Sequence, residues 1–427
     1  MFSLSKEKTW IKLALFLMLI ITLATSLFVI FKYGNYFLLG SMDKMDNDDV
    51  KYVRSAITLL EKGMFTYHNV NTPTVFIMPG HPMLLAGIMK IFGTGDSGIT
   101  AFRVFQALLQ AFCLYLIFLI GREVFGSKVA LIACLIDACY IPEISNVGVI
   151  LTEIEFKTLL LLMVYVSLHA LKTRKTSYYF WGGVIWGLTC LFRPTIAAYP
   201  GVILIMWFVY KYSFKEMLKY TLIVVGVFVV IMSPWWVRNY LDFNRVILLT
   251  LSSGNPFLQG TYINYDQTRD YTPYTPDPDA IKNDKIEMDT GKYRLMTYGK
   301  QHPLEYIKWY TLGKTKYLWI TPFYWKQVLN ISLKSVITYN YAILLFASAG
   351  AILMFRKRLY GGIFLFSTLA YFNIMHLPYF TFSRYVYPVM PLVMLFSAYG
   401  VMSISTGLYG LLRFGLPKEK QLPSIKV

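Results

Sequence analysis

Residues 10–31 read WIKLALFLMLIITLATSLFVIF, and residues 46–56, just beyond them, read DNDDVKYVRSA. The first stretch decides the fold. At 1.5 Å per residue it is long enough to cross a hydrocarbon core of about 30 Å, and no charge interrupts it after Lys12. The second stretch sets a carboxylate cluster at the edge of that span. It reads as the start of a helix, with Asp48 and Asp49 where negative charge suits the helix dipole. In a chain of net charge +18, this cluster is the first candidate for a catalytic base.

Working outward, 56% of the chain is hydrophobic and only 15% charged, too little polar surface to cover a soluble protein of 427 residues. The composition predicts an all-α polytopic membrane protein. Apolar runs predict about ten transmembrane helices, near residues 10–31, 101–121, 127–142, 153–171, 178–193, 196–211, 216–235, 335–355, 359–378 and 385–409. The first is too long for a secretory signal core and reads as an uncleaved anchor. Cys113, Cys134, Cys139 and Cys190 all fall in apolar spans, as small core residues rather than a disulfide framework or a metal site.

Ten spans place the basic groups Lys6/Lys8/Lys12, Arg122/Lys128, Lys172/Arg174/Lys175, Lys211/Lys215/Lys219, Arg356/Lys357/Arg358 and Arg413/Lys418/Lys420 on one side. By the positive-inside rule that side is the cytoplasm, with both termini there. Topology therefore accounts for most of the basic charge, and nucleic acid is not an expected partner. The outer side receives residues 32–100, tight turns at 143–152 and at Arg193-Pro194, the long segment 236–334 and a turn near 379–384. The polar stretch Thr268 to Thr290 reads as an exposed loop.

The outer face collects the chemistry. Residues 81–93, HPMLLAGIMKIFG, cover only roughly half a bilayer. The first outer loop is thus expected to hold two short helices, one bearing the acidic cluster and one lying at the membrane interface. Arg103, Glu153, Arg193, Arg238 and Arg384 all fall at outer ends of spans. Outer arginines run against the positive-inside bias, so they call for anionic partners: Asp48, Asp49 and Glu153, or a lipid phosphate gripped bidentately. Asp137 and His376 are further polar residues inside spans, read either as cavity lining or as buried hydrogen bonds that fix packing.

With these residues in place, the chain resembles the GT-C superfamily of polytopic glycosyltransferases, in the bacterial branch related to protein mannosyltransferases and aminoarabinose transferases. The resemblance is carried by Asp48-Asp49-x-x-Tyr52 with Ala56 and Gly63, by MPGHPMLLAGIMKIFG at 78–93, Arg103, LTEIEF at 151–156, LFRP at 191–194, SPWWVRNYLDF at 233–243, SSGNPFLQGTY at 252–262 and RYVYPVMPLV at 384–393. The chain departs from the family pattern at His81, where a tyrosine is usual.

The resemblance implies GT-C architecture in a single integral-membrane glycosyltransferase domain over 1–427, with its active site outside the cytoplasm. It implies transfer of a sugar from a polyprenyl-phosphate donor to a hydroxyl of a lipid, glycan or protein acceptor, with inversion. Asp48 would be the base, with Asp49 beside it in the family's second acidic position. Arg103, Arg193, Arg238 and Arg384 would take the donor phosphate, with Lys314 or Lys316 as further cations. Tyr52, His81, Glu153 and Asn239 would contact substrate, although Glu153 equally suits an ion pair that orients an arginine. Trp235, Trp236, Tyr262, Tyr274 and Trp309 could stack on sugars or anchor at the membrane interface. No cofactor is required, and no metal site is assigned, although a divalent metal could bind Asp46, Asp48 and Asp49 weakly. A lipid-linked oligosaccharide ligase or polymerase, and a secondary transporter, stay open as alternatives.

Overall fold

The computed structural model describes residues 2–414, all helix, turn and loop, with no strand among the described residues. The long helices α1 (Thr9–Tyr33), α4 (Asp96–Phe125), α7 (Glu153–Thr173), α10 (Phe214–Phe243), α15 (Leu333–Arg356) and α18 (Met390–Phe414) form the frame. Among the described residues, six helices are long and apolar enough to cross a membrane. A seventh span results if α5 (Ser127–Ala138) and the helix pair that follows it, bent by 62°, count as one. The chain is a multi-pass membrane protein.

All ten expected spans coincide with helices, but among the described residues only six or seven are long and apolar enough by themselves to count as crossings. Besides the bent pair, α8 (Thr176–Phe192) and α16 (Tyr360–His376) have 17 residues each and α9 (Pro200–Val209) has 10. At 1.5 Å per residue α9 falls well short of a full hydrocarbon core, while α8 and α16 lie at the lower limit for a span.

The segment between α1 and α4 holds the two expected helices, α2 (Asp48–Lys62) and α3 (Gly80–Phe92). Asn47 opens α2: its side chain accepts from the Asp48 amide, and Asp48 and Asp49 occupy the first turn. Gly63 closes it in the left-handed conformation, at φ 66°, that glycine adopts without strain. Val53 and Ala56 of α2 pack with Leu85, Ala86 and Met89 of α3 and with Ile99 and Phe102 of α4 in a small core. Gly80 has a specific purpose, because a Cβ there would stand 2.6 Å from the Leu191 carbonyl oxygen. Its absence lets the start of α3 dock on the end of α8.

Two stretches differ from the sequence reading. The expected turn at 143–152 contains α6 (Ile141–Ser145), which turns Glu143 into the protein with 1% exposure. The polar stretch 268–290 is a loop only at first; α12 (Ala280–Gln301) starts within it, because the Asp279 side chain caps the amides of Ile281 and Lys282. Cys139, beside the break after α5, is exposed, unlike the other three cysteines. Between α10 and α15 lie the short helices α11 (Gly254–Gly260), α13 (Pro303–Lys308) and α14 (Lys314–Trp319), and α17 (Ser383–Val386) precedes α18.

Candidate active site

Four charged side chains join where α2, α7, the end of α8 and α17 meet. Arg384 donates from Nη1 to Asp48 Oδ2 at 2.8 Å and from Nε to Glu153 Oε1. Arg193 donates from Nη2 to the same Glu153 oxygen and from Nε to Thr152 Oγ1 at 2.7 Å. Two carboxylates and two guanidiniums thus form a continuous chain with no net charge, which lowers the cost of burying Glu153 and Arg384. The second oxygen of Glu153 is buried and has no hydrogen-bond partner among the described residues.

Local sequence sets each of these side chains. Asp48 leads α2 because Asn47 caps it. Arg193 precedes Pro194, which disfavours helical backbone at the residue before it; α8 ends there and Arg193 is extended, at φ −144° and ψ 125°. Glu153 opens α7 directly after Thr152, and Arg384 sits in a single turn of helix before Pro388.

Asp48 is the accessible member: its side chain is 41% exposed, against 10% for Arg384 and 2% for Glu153. Its other oxygen, Oδ1, accepts from the Tyr67 hydroxyl at 2.6 Å. Burial raises the pKa of this carboxyl, but the Arg384 charge and the Tyr67 hydrogen bond outweigh that, and Asp48 titrates below the ordinary carboxylate range. Burial and the neighbouring carboxylate push the Tyr67 phenol up, so it stays a donor. Tyr52 stands between Tyr67 and His81, with ring centroids 5.5 and 4.7 Å away.

The other expected site residues lie outside this chain of contacts. Asp49 is fully buried and accepts the amides of Leu39 and Gly40 at 2.6 and 3.2 Å; it straps the incoming loop to α2. Burial raises its pKa in spite of those amides. Arg103, 1% exposed, donates to the Gly148 carbonyl at 2.8 Å. Arg238 holds the loop before α3 by donating to the carbonyls of Thr74 and Phe65, and pairs with Asp242. Asn239 is buried and donates to the Ile247 carbonyl. His81, also fully buried, lies 3.5 Å from Glu155. Lys314 is buried against the Leu377 carbonyl at 2.6 Å, and Lys316 is exposed. Trp235, Tyr262 and Trp309 are at most 5% exposed and offer no open ring face.

Asp46, Asp48 and Asp49 do not converge: Asp46 accepts the Ser41 amide, and Asp49 turns to Leu39 and Gly40. Among the described residues no group of three or more His, Cys, Asp or Glu side chains is arranged to hold a metal ion.

One turn below the quartet lies a second polar cluster that the sequence reading missed apart from Asp137. Lys157, fully buried, donates to Glu143 Oε2 and to Gln110 Oε1, and its Nζ is 3.0 Å from the Tyr387 hydroxyl, which donates to Glu143 at 2.6 Å. Gln110 in turn approaches Asp137 at 3.5 Å. His376 is 2.6 Å through Nδ1 from the Phe372 carbonyl and stacks on Tyr385 at 5.0 Å.

Known proteins resemble this chain in part. The sequence profile of the dolichyl-phosphate-mannose-protein mannosyltransferase family matches residues 73–237, less than half of the chain. No curated protein sequence matches it. Among solved structures, the archaeal oligosaccharyltransferase AglB from Archaeoglobus fulgidus, in complex with an inhibitory peptide and a dolichol-phosphate, aligns over 98% of this chain and 53% of its own, with 15% identity and a TM-score of 0.56. The apo form of the Archaeoglobus fulgidus oligosaccharyltransferase gives 99%, 54%, 14% and 0.56. ArnT from Cupriavidus metallidurans bound to undecaprenyl phosphate gives 97%, 82%, 12% and 0.43. At such identities the likeness is one of fold, and the chain spans about half the length of the oligosaccharyltransferase.

Proposed function

From a chain that has the fold of the GT-C glycosyltransferase superfamily, we propose that this protein transfers a sugar from a polyprenyl-phosphate donor to an acceptor hydroxyl on the extracytoplasmic side of the membrane. The observation that carries this reading is the pairing of an accessible carboxylate, Asp48, with a guanidinium, Arg384, that a second buried carboxylate holds in place. The matching mannosyltransferase profile supports the lipid-linked donor, since that family is named for a dolichyl-phosphate sugar.

In this reading, Asp48 accepts the proton of the acceptor hydroxyl as its oxygen attacks the anomeric carbon from the face opposite the phosphate. The bond between that carbon and the phosphate oxygen breaks, its electron pair leaves with the phosphate, and configuration inverts. Arg384, with Arg193 behind it, stabilises the charge that grows on the departing phosphate. Glu153 fixes both guanidiniums. One carboxylate is enough, because a phosphate leaving group needs no general acid of the kind hydrolases use. The two arginines would supply the charge without a divalent metal, and a strong chelator is expected to leave turnover unchanged. The likeness to an oligosaccharyltransferase favours a lipid-linked oligosaccharide as the second donor class to be assayed.

The test is donor turnover. Purified protein is incubated with polyprenyl-phosphate hexoses, pentoses and aminosugars, then with lipid-linked oligosaccharide, and release of the lipid phosphate is followed. Release that falls by about 10²–10⁴-fold in Asp48→Asn is the expected result. Undiminished release in that variant removes Asp48 as the base, and no release from any donor overturns the activity.

A further inference from the structure

Trp325 lies in none of the motifs above, yet its ring centroid is 5.9 Å from the guanidinium carbon of Arg384. It is 44% exposed, in a short segment whose other large side chains are inside: Phe323 is 2% exposed, Tyr324 6% and Val328 0%. That segment is pinned at several points. Asn146 donates to the Phe323 carbonyl at 3.0 Å, Ser145 to the Lys326 carbonyl at 2.6 Å, and the Leu329 amide donates to the Tyr33 hydroxyl at 2.7 Å. An exposed indole on a backbone tied down on both sides is held in position rather than merely left out.

A second open ring completes a corner. Phe382 is 40% exposed, its centroid 6.3 Å from that of Trp325 and its plane turned by 79°. Phe323 meets Trp325 edge-on at 4.8 Å from within, and Phe380 supports Phe382 at 4.5 Å. Two apolar walls therefore stand beside the one arginine that also touches the accessible carboxylate. Membrane anchoring explains an exposed tryptophan in general, but it does not explain why the indole sits against Arg384.

We infer that Trp325 and Phe382 form a stacking platform for the ring of the donor-borne sugar, resting on the phosphate-binding role of Arg384 proposed above. The C–H face of a pyranose is weakly positive and suits the negative face of an aromatic ring. A phosphate gripped by Arg384 would hold its oxygens about 2.7–2.9 Å from the guanidinium nitrogens, so the sugar ring, attached through the bridging phosphate oxygen, begins a few bonds away and within reach of the indole. The platform then selects for a sugar with an unbroken C–H face, and Phe382 meets its edge.

Binding by the full chain in lipid nanodiscs tests this, with two probes: polyprenyl-phosphate hexoses and bare polyprenyl phosphate. Trp325→Ala is expected to weaken the hexose-bearing lipid about three- to tenfold and to leave the bare lipid unchanged. Trp325→Tyr should restore most of the loss, and Phe382→Leu should lower affinity in the same selective way. Equal weakening of both probes would make Trp325 a contact for the lipid and overturn the platform, as would unchanged affinity for both. If the wild-type chain binds bare polyprenyl phosphate and no sugar-bearing form, the platform fails while the lipid-phosphate site stands. If it binds neither, the donor reading falls and the platform with it.

Discussion

Arg384 reaches Asp48 across 2.8 Å, although 336 residues separate them in the chain. The pairing keeps the Asp48 carboxyl ionised to lower pH than an ordinary aspartate, against the burial that would raise it. A depressed folded-state pKa contributes stability that is present above the unfolded value of about 3.9 and is lost as pH falls through the lower folded value. The same ionisation governs a general base.

Arg384→Lys should therefore move the acid limb of kcat/KM upward, because a lysine point charge cannot reach Asp48 and Glu153 together as the guanidinium fork does. Arg384→Ala should move it further, since burial would then act on Asp48 with no compensating partner. The pH–rate profiles of the three proteins decide this. An acid limb that stays in place in both variants would detach Arg384 from the protonation of Asp48.

Glu153 is the keystone of the quartet. Both guanidiniums converge on one of its oxygens, so Glu153→Gln leaves two positive charges side by side in a buried setting. Removing one partner of a buried ion pair typically costs about 3–5 kcal/mol. The variant should unfold at clearly lower denaturant or temperature. Turnover should fall by about 10²-fold or more as Arg384 drifts from the phosphate position. Thermal unfolding in nanodiscs and donor release measure the two effects. Loss of activity at unchanged stability would show that Glu153 acts on the substrate and does not hold the arginines.

Much of this arrangement was readable before the fold was known, and the reasons differ by residue. Arg193 and Arg384 announce themselves because arginines opposite the other basic groups run against the positive-inside bias and call for anionic partners, for which Asp48 and Glu153 are the candidates. Their mutual contacts did not follow, since no spacing rule links the loop after α1 to a turn near the end of the chain. Tyr67 was invisible because it stands in an aperiodic loop, where register is set by tertiary contacts such as its stacking on Phe76. Arg103 and Arg238 look the same as Arg193 in sequence; only the fold shows that backbone carbonyls hold them. Lys157 was within reach. It lies inside the expected span 153–171, where an ionisable residue is informative by itself, and it stands four positions after Glu153 on the same helix face.

That lysine yields a further prediction. Lys157 binds Glu143 and the Tyr387 hydroxyl within a fully buried cluster, three residues along from Arg384. Lys157→Met should destabilise by about 3–5 kcal/mol because it strands the Glu143 carboxylate. Adding Glu143→Leu should recover most of that loss, since an apolar pair needs no compensation. Equilibrium unfolding of the single and double variants forms the cycle. A double variant that is less stable than Lys157→Met would mean that the cluster is held by more than this pair.

Lys314 provides the last test, and it concerns the long segment between α10 and α15 rather than the reaction. It is fully buried, its Nζ lies 3.7 Å from the Tyr310 ring centroid and donates to the Leu377 carbonyl, and no carboxylate pairs with it among the described residues. Burial pushes its pKa down to about 7, far below the value of about 10.4 for an unfolded lysine. Between those two values the unfolded chain binds a proton that the folded chain does not, so stability rises with pH across that window. Below about pH 7 both states are protonated, and the dependence flattens with the cost of a buried ammonium in full force. Lys314→Met should remove the slope and raise the apparent unfolding midpoint most at pH 6 and least at pH 9. Midpoints of both proteins across that range, taken as a difference, isolate the lysine from every other titrating group. A flat difference would show that Lys314 keeps its proton in the folded protein, held by the Leu377 carbonyl and the Tyr310 ring in spite of burial.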